Sequence, residues 1–289
     1  MAEHIYIEAP AKVNLFLDIK GKRDDGYHEI QTVMHLIDLK DEIRISLRDE
    51  GIRVRCSEPF IPQGSENLAY KAAAIFSEKC GIRKGVEIYI DKKIPAGAGL
   101  GGGSSDAAAV LKGLNNLLAC NVPHEELALW AAEIGSDVPF FIWERTALAE
   151  GRGELISPLK RENLLHMLLV KPDFSVSTPE AYRNFKKEEV KMSRDLKAFL
   201  AAWENYDIIS IAENMINVLE MPVIKLYPEI AGIKDDLKRA GALNALMSGS
   251  GSAVFGIFRE EKEALRAYSF LQGKYPLVKV VTSYIRGDE

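Results

Sequence analysis

The residues best equipped for chemistry form one run, Pro95-Ala96-Gly97-Ala98-Gly99-Leu100-Gly101-Gly102-Gly103-Ser104-Ser105-Asp106. Glycine has no Cβ, so such a segment can bring main-chain N–H groups against an anion and take positive φ without a clash. Ala107-Ala108-Ala109 then opens a helical pattern. A helix N-terminus adds unpaired N–H groups and partial positive charge, which a polyphosphate needs. Ser104 and Ser105 stand where one hydroxyl would cap that helix and the other could reach a phosphate oxygen or a magnesium ion. Two familiar phosphate loops do not fit. Gly97, Gly99 and Gly102 satisfy GxGxxG, but a second helix follows where a dinucleotide site needs a strand and an acidic residue. No lysine follows Gly103, so the run is not a Walker loop. A plain turn is the remaining alternative, and glycine this dense directly before an alanine-led helix argues against it.

Two single residues could act beside such a cradle. Asp137 lies between Gly135 and Pro139. It can cap a short helix begun by Val138-Pro139, or it can take a proton from an attacking hydroxyl. Its position alone leaves these readings even. Lys12 opens an apolar strand, an awkward place for a cation without a carboxylate or phosphate partner. Its bland alternative is an edge lysine with its head in water. Tyr27 and His28 follow Gly26 and, by themselves, read as turn and core residues.

The elements that must hold these residues are of both kinds. Alternation predicts strands at 5–7, 13–19, 32–38, 42–47 and 52–56, then at 86–90 and 147–150. Helices are expected from Ser65-Glu66 to Gly81, behind the glycine run, and from His124 to Ile134. In the helix behind the run, Val110, Leu111, Leu114, Leu117 and Leu118 make one apolar stripe. The later part begins with a buried-strand run at 165–170. Helices fill most of 179–240, strands at 244–247 and 253–258 flank a small-residue loop, and a helix at 262–271 and a strand at 277–285 follow. Strands gathered early and helices late indicate an α+β protein, divided into 1–157 and 158–289.

Composition removes several functions. Lys plus Arg number 37 against 42 Asp plus Glu, and this net charge of −5, without a basic stripe, speaks against nucleic acid. Cys56, Cys80 and Cys120 are widely spaced with no CxxC pair, which suits reduced thiols and offers no zinc or disulfide framework. The opening residues 1–9 carry no signal-peptide pattern, and the most apolar stretch, 164–170, is too short to span a bilayer. The expectation is a cytoplasmic protein with no membrane or nucleic-acid partner.

Three separated motifs resemble those of the GHMP kinases: Pro10-Ala11-Lys12-Val13-Asn14-Leu15, the glycine run, and Met247-Ser248-Gly249-Ser250-Gly251-Ser252. Further stretches are similar to the branch of that family acting on 4-diphosphocytidyl-2-C-methyl-D-erythritol. They are 23–30, 66–68, 135–141, 150–154, 177–182 and 217–220, with Val218 departing from the Asp usual at its position. The resemblance implies an N-terminal domain like ribosomal protein S5 domain 2, a ferredoxin-like C-terminal domain, and ligands in the cleft between them. It implies phosphorylation of the 2-hydroxyl of that compound by ATP with Mg2+, in the non-mevalonate isoprenoid route. Lys12 and Asp137 would be catalytic. Asn67, Leu68 and Lys93 would flank adenine, while Pro95, Gly97, Gly99, Leu100, Gly101, Gly102, Gly103, Ser104 and Ser105 would hold ATP, with Ser105 also the candidate metal contact. Asn14, Tyr27, His28, Thr178, Tyr182, Ser248 and Gly249 would bind a substrate carrying cytidine diphosphate. The protein would be a monomer or weak homodimer. The alternatives are a homoserine- or mevalonate-type kinase of the same family, or a catalytically silent binding protein.

Overall fold

A computed structural model gives the fold of residues 4–189 and 195–285, so 190–194 of the expected helical stretch lie outside the described residues. The first sheet rests on two long antiparallel strands, β1 (His4–Lys22) and β2 (His28–Arg48). Each was expected as two shorter strands. Pro10 has no N–H to give the ladder, and the pairing slips there from Pro10↔Lys40 to Ala11↔Ile37. That irregularity absorbs the missing donor and the strand continues. β3 (Ile52–Cys56), α1 (Leu68–Lys79), β4 (Gly85–Asp91) and α2 (Gly102–Leu118) follow. Next come α3 (His124–Ile134), α4 (Val138–Trp143), β5 (Ala147–Gly151) and β6 (Leu155–Pro158). The main path of the sheet reads β3-β4-β2-β1, with β5 paired to β2 and β6 to β5. The stripe expected of α2 is largely realised: Val110, Leu111, Leu114 and Leu117 are buried in one core, and the helix packs against β1 and β2.

The second sheet is made by β7 (His166–Lys171) and three later strands. Between them lie α5 (Thr178–Arg183), α6 (Leu196–Glu204), α7 (Ile208–Asn214), the two-residue β8 (Ile216–Asn217), α8 (Glu220–Leu226) and α9 (Glu229–Arg239). β9 (Asn244–Met247), β10 (Val254–Phe258), α10 (Glu261–Leu271) and β11 (Leu277–Thr282) complete the chain's elements. The order β11-β7-β10-β9, antiparallel throughout, is the split βαββαβ arrangement of ferredoxin-like domains.

The two sheets are tied together. β8 pairs parallel with β1 at Phe16 and Leu17, and Tyr284 N donates to Leu36 O at 3.0 Å. Buried His35 of β2 is 2.8 Å from Thr146 Oγ1 and 2.7 Å from Ser283 Oγ. One continuous core joins Val13, Leu15 and Phe16 of β1 to Leu168 and Leu169 of β7. No helix among the described residues is long and apolar enough to cross a membrane.

Candidate active site

A cleft of about 980 Å³ is lined by residues from both parts of the chain. Its middle is the glycine loop, where Gly97, Gly99 and Gly101 take φ of +61°, +74° and +71°. At Gly99 conformation and space both exclude a side chain, because a Cβ would lie 2.0 Å from Ser248 O. The turn at 248–252 therefore presses directly on the loop. Ser248 Oγ donates to Gly99 O at 2.9 Å, Ala253 N to Ala98 O at 3.1 Å, and Lys12 N to Leu100 O at 3.0 Å. Behind the loop α2 starts at Gly102, with Gly101 at the cap position and no side-chain cap. The expected serine cap is thus absent, because Gly101, not Ser104 or Ser105, stands at the cap position. Gly102, Gly103 and Ser104 line the cleft. Ser105 does not: the residue is 1% exposed and its hydroxyl donates to Pro10 O at 2.7 Å.

Lys12 and Asp137 meet beside this loop, with Lys12 Nζ 3.5 Å from Asp137 Oδ2. The lysine is buried and the carboxylate more than a third exposed to the cleft. Burial lowers the Lys12 pKa below the usual lysine range, and the charge of Asp137 partly restores it. Asp137 occupies the cap position of α4 but makes no side-chain cap bond. Of its two sequence readings, capping is the one the geometry removes. Lys12 Nζ also donates to Asn14 Oδ1 at 2.6 Å, and Asn14 Nδ2 donates to Thr32 Oγ1 at 2.8 Å, so β1 and β2 hold the pair in a bonded row. Gly249 closes on the same spot, since a Cβ there would lie 3.3 Å from Lys12 Nζ. Asn217 of β8 fixes that turn, donating to Met247 O at 2.8 Å and Gly249 O at 2.7 Å. Val218 is buried in the apolar core, a setting valine suits.

At one end of the cleft the lining is aromatic. His28 stacks at a tilt on Tyr182, with centroids 5.3 Å apart, and meets Phe185 edge-on. Tyr27 is 54% exposed, and the Arg152 guanidinium lies 5.0 Å from its ring centroid. Burial, then the charge of Lys22, lowers the His28 pKa, which favours the neutral ring. Thr178 and Ser250 share a hydrogen bond of 2.9 Å at the same end. At the other end Asn67 caps α1, accepting from Ala69 N at 2.8 Å, and its amide donates to Pro62 O. Asn67, Leu68 and Pro95 line the cleft there. Lys93 does not. Its ammonium turns to Glu42 at 2.6 Å and Asp91 at 3.6 Å, and the neighbouring Lys92 lines the cleft instead. Sequence reasoning passed over Lys92, Asp41, Asp106 and Arg152. Asp106 and Arg152 stood inside quoted motifs, while Asp41 carried no local signal.

No three His, Cys, Asp or Glu side chains among the described residues could together hold a metal. Magnesium keeps several waters and is bound through phosphates and one or two protein groups, so the loop fits an ion carried chiefly by a nucleotide. Ser104 is the loop hydroxyl that lines the cleft.

Comparison with known proteins agrees with this geometry. Residues 67–145 match the GHMP kinases N terminal domain and residues 196–277 the GHMP kinases C terminal domain. The chain is 52% identical over 285 residues to a 4-diphosphocytidyl-2-C-methyl-D-erythritol kinase of Syntrophomonas wolfei, covering 99% of this chain and 100% of that one. A crystal structure of a 4-(cytidine 5'-diphospho)-2C-methyl-D-erythritol kinase superposes with a TM-score of 0.83 at 36% identity, covering 96% of this chain and 98% of the other. A homoserine kinase from Cytophaga hutchinsonii shares the fold, with a TM-score of 0.76 at 21% identity over 99% of this chain and 96% of its own.

Proposed function

The chain belongs to the GHMP kinases, and from that premise we propose that it transfers the γ-phosphate of ATP to the 2-hydroxyl of 4-diphosphocytidyl-2-C-methyl-D-erythritol. The observation that carries the reading is the Lys12–Asp137 pair, 3.5 Å apart, standing in one cleft between the glycine loop and the aromatic end. The names of relatives at 52% and 36% identity support the choice of acceptor.

In this mechanism the loop N–H groups and the uncapped start of α2 hold the phosphates of ATP. Asp137 takes the proton of the acceptor hydroxyl as its oxygen attacks the γ-phosphorus and ADP leaves. Lys12 holds the Asp137 carboxylate in place through their ion pair and offsets charge developing on the transferred group. Asn14, through its bond to Lys12, orients the pair towards the acceptor. When bound with the nucleotide, magnesium supplies neutralisation of phosphate charge. Tyr27 and Tyr182 flank the cytosine ring, with His28 at its edge. Thr178 and Gly249 complete the acceptor side, and Asn67, Leu68 and Lys92 form the adenosine side. Ser248, expected on the acceptor side too, is fully buried outside the cleft lining and acts by holding Gly99 O. The residues 1–157 form the ATP-side unit and 158–289 the substrate-side unit. The enzyme works in the cytoplasm as a monomer or weak homodimer, in the non-mevalonate route to isoprenoid precursors. Three free cysteines suit a reducing compartment.

The test is release of ADP with ATP, magnesium and a panel of acceptors: the cytidine compound, mevalonate, homoserine and galactose. Turnover on the cytidine compound alone is expected. Turnover on another acceptor would keep the kinase and remove the substrate assignment, and silence on all four would favour a binding protein.

A further inference from the structure

We propose that Asp41 and Asp106 are positioning residues for ATP, which together fix the Lys92 ammonium beneath the glycine loop. The inference rests on reading that end of the cleft as the nucleotide site. Lys92 Nζ donates to Asp41 Oδ2 at 2.6 Å and to Asp106 Oδ2 at 2.7 Å. All three side chains are at most 5% exposed. The other oxygen of Asp41 accepts from Lys93 N at 2.5 Å and Ile94 N at 2.8 Å, which pins the main chain entering the loop. Asp106 stands in the first turns of α2, where the chain leaves the loop. Lys92 therefore ties entry to exit. Its Nζ lies 3.0 Å from the place a Cβ on Gly102 would occupy, so the charge sits against the loop backbone itself.

A brace alone does not account for this cluster. Burying ions is costly, and apolar side chains would join the same segments as well or better. Burial, with Asp41 adding to it against the pull of Lys92, pushes the Asp106 carboxyl up to about 7. Asp106 Oδ1 has no hydrogen-bond partner among the described residues. What the arrangement does achieve is direction. An ammonium has three donors, and two are committed to fixed acceptors, which leaves the third for a ligand in the cleft that Lys92 lines. Burial opposes the charge on Lys92, and the two carboxylates more than restore it.

The experiment is calorimetric titration of ATP with magnesium into the full-length protein, with folding checked by circular dichroism. It needs no acceptor, so failure of the acceptor assignment would leave it valid. Lys92→Met and Asp106→Ala are each expected to weaken ATP binding about tenfold, the scale of one lost charge-assisted hydrogen bond. Asp106→Asn, which keeps an acceptor for Lys92, should stay within about threefold of the parent. The decisive comparison is the double variant Lys92→Met/Asp106→Ala. If Asp106 acts through Lys92, the double variant binds no worse than Lys92→Met alone. Additive losses, or an unchanged affinity in Asp106→Ala with only a lower melting temperature, would overturn the proposal. Should Asp106→Ala fail to fold, Lys92→Met and Lys92→Met/Asp106→Asn carry the test. A further loss in that double variant would count against the proposal, and equal affinities would support it.

Discussion

At the glycine end of the cleft a ligand would meet backbone and buried charge, while at the aromatic end it would meet the half-buried rings of His28, Tyr182 and Phe185 and the exposed Tyr27. The loop at Gly99 touches Ser248 O so closely that no Cβ fits, and Lys92, Asp41 and Asp106 behind it are almost wholly buried. Tyr27 is 54% exposed, and its partner Arg152 approaches only the face of its ring. A phosphate chain is the same in every ATP-dependent enzyme, so its cradle can be rigid and made of main chain. Acceptor identity varies within the family, and replaceable side chains on the edge of the frame suit that task. Lys12 and Asp137 lie where these two materials meet.

The largest effect is expected at that junction. Asp137→Ala should lower turnover about 10²–10⁴-fold, the range for loss of a general base, with ATP affinity near normal. Lys12→Ala should also lower turnover by orders of magnitude. Its removal leaves no buried orphan charge, because the Asp137 carboxylate is open to the cleft. Single-turnover assays with circular dichroism check both, and near-normal turnover in either would break the junction. Gly99→Ala tests the claim that the loop is rigid. Positive φ and the clash with Ser248 O should together cost about 2–4 kcal/mol of stability in urea unfolding. A full-stability variant would mean that the loop yields, and the contrast between the two ends would fail.

Both ends hang from a frame whose pH response can be worked out. His35 is fully buried between Thr146 and Ser283, beside the edge of Trp203, and burial pulls its pKa down to about 3 from an ordinary 6.5. The unfolded chain binds a proton more readily than the folded one across that window. Stability is therefore complete above pH 6.5 and is lost as pH falls towards 3. At pH 5 the loss from this one group is about 2 kcal/mol, set by the unfolded value as long as the folded one lies well below 5. Unfolding measured at pH 7 and pH 5 in the parent and in His35→Gln checks it, and the parent alone should carry this slope.

How much of this was legible in the sequence follows the same division. Contiguous features were readable: the glycine run, the α2 stripe of Val110, Leu111 and Leu114, and the strands of the second sheet. Lys12 and Asp137 were visible as odd placements, but 125 residues of sequence separate them and only the fold puts their charges together. Asp41 sat among the alternating charges of β2 and gave no sign that it holds Lys93 N and Ile94 N. Lys92 and Lys93 could not be told apart without knowing which face of the chain after β4 turns to the loop. β8 was illegible because two residues carry no periodicity; only its pairing with β1 makes it a strand. The cap was misread because glycines, poor helix formers by propensity, occupy the first positions of α2, where Gly102 lies against Ile94 and Lys92.

The smallest effect is expected at the aromatic end, and it is the one that separates the two ends most cleanly. Tyr27 already faces solvent, so Tyr27→Ala removes little packing and should leave unfolding nearly unchanged. What it removes is one face of the clamp around the base. Stacking on an aromatic ring is worth about 1–3 kcal/mol per base, which a wet, half-open site would realise at its lower bound. The Michaelis constant for the cytidine compound should then rise about tenfold, with turnover and the Michaelis constant for ATP each within about twofold of the parent. Steady-state kinetics at varied acceptor and fixed ATP, then the reverse, read both constants from one preparation. A rise confined to ATP would place the nucleotide at the aromatic end and invert the assignment of the cleft. Equal rises in both would mean that the two ends are coupled through the loop, and that the aromatic edge is part of the rigid frame.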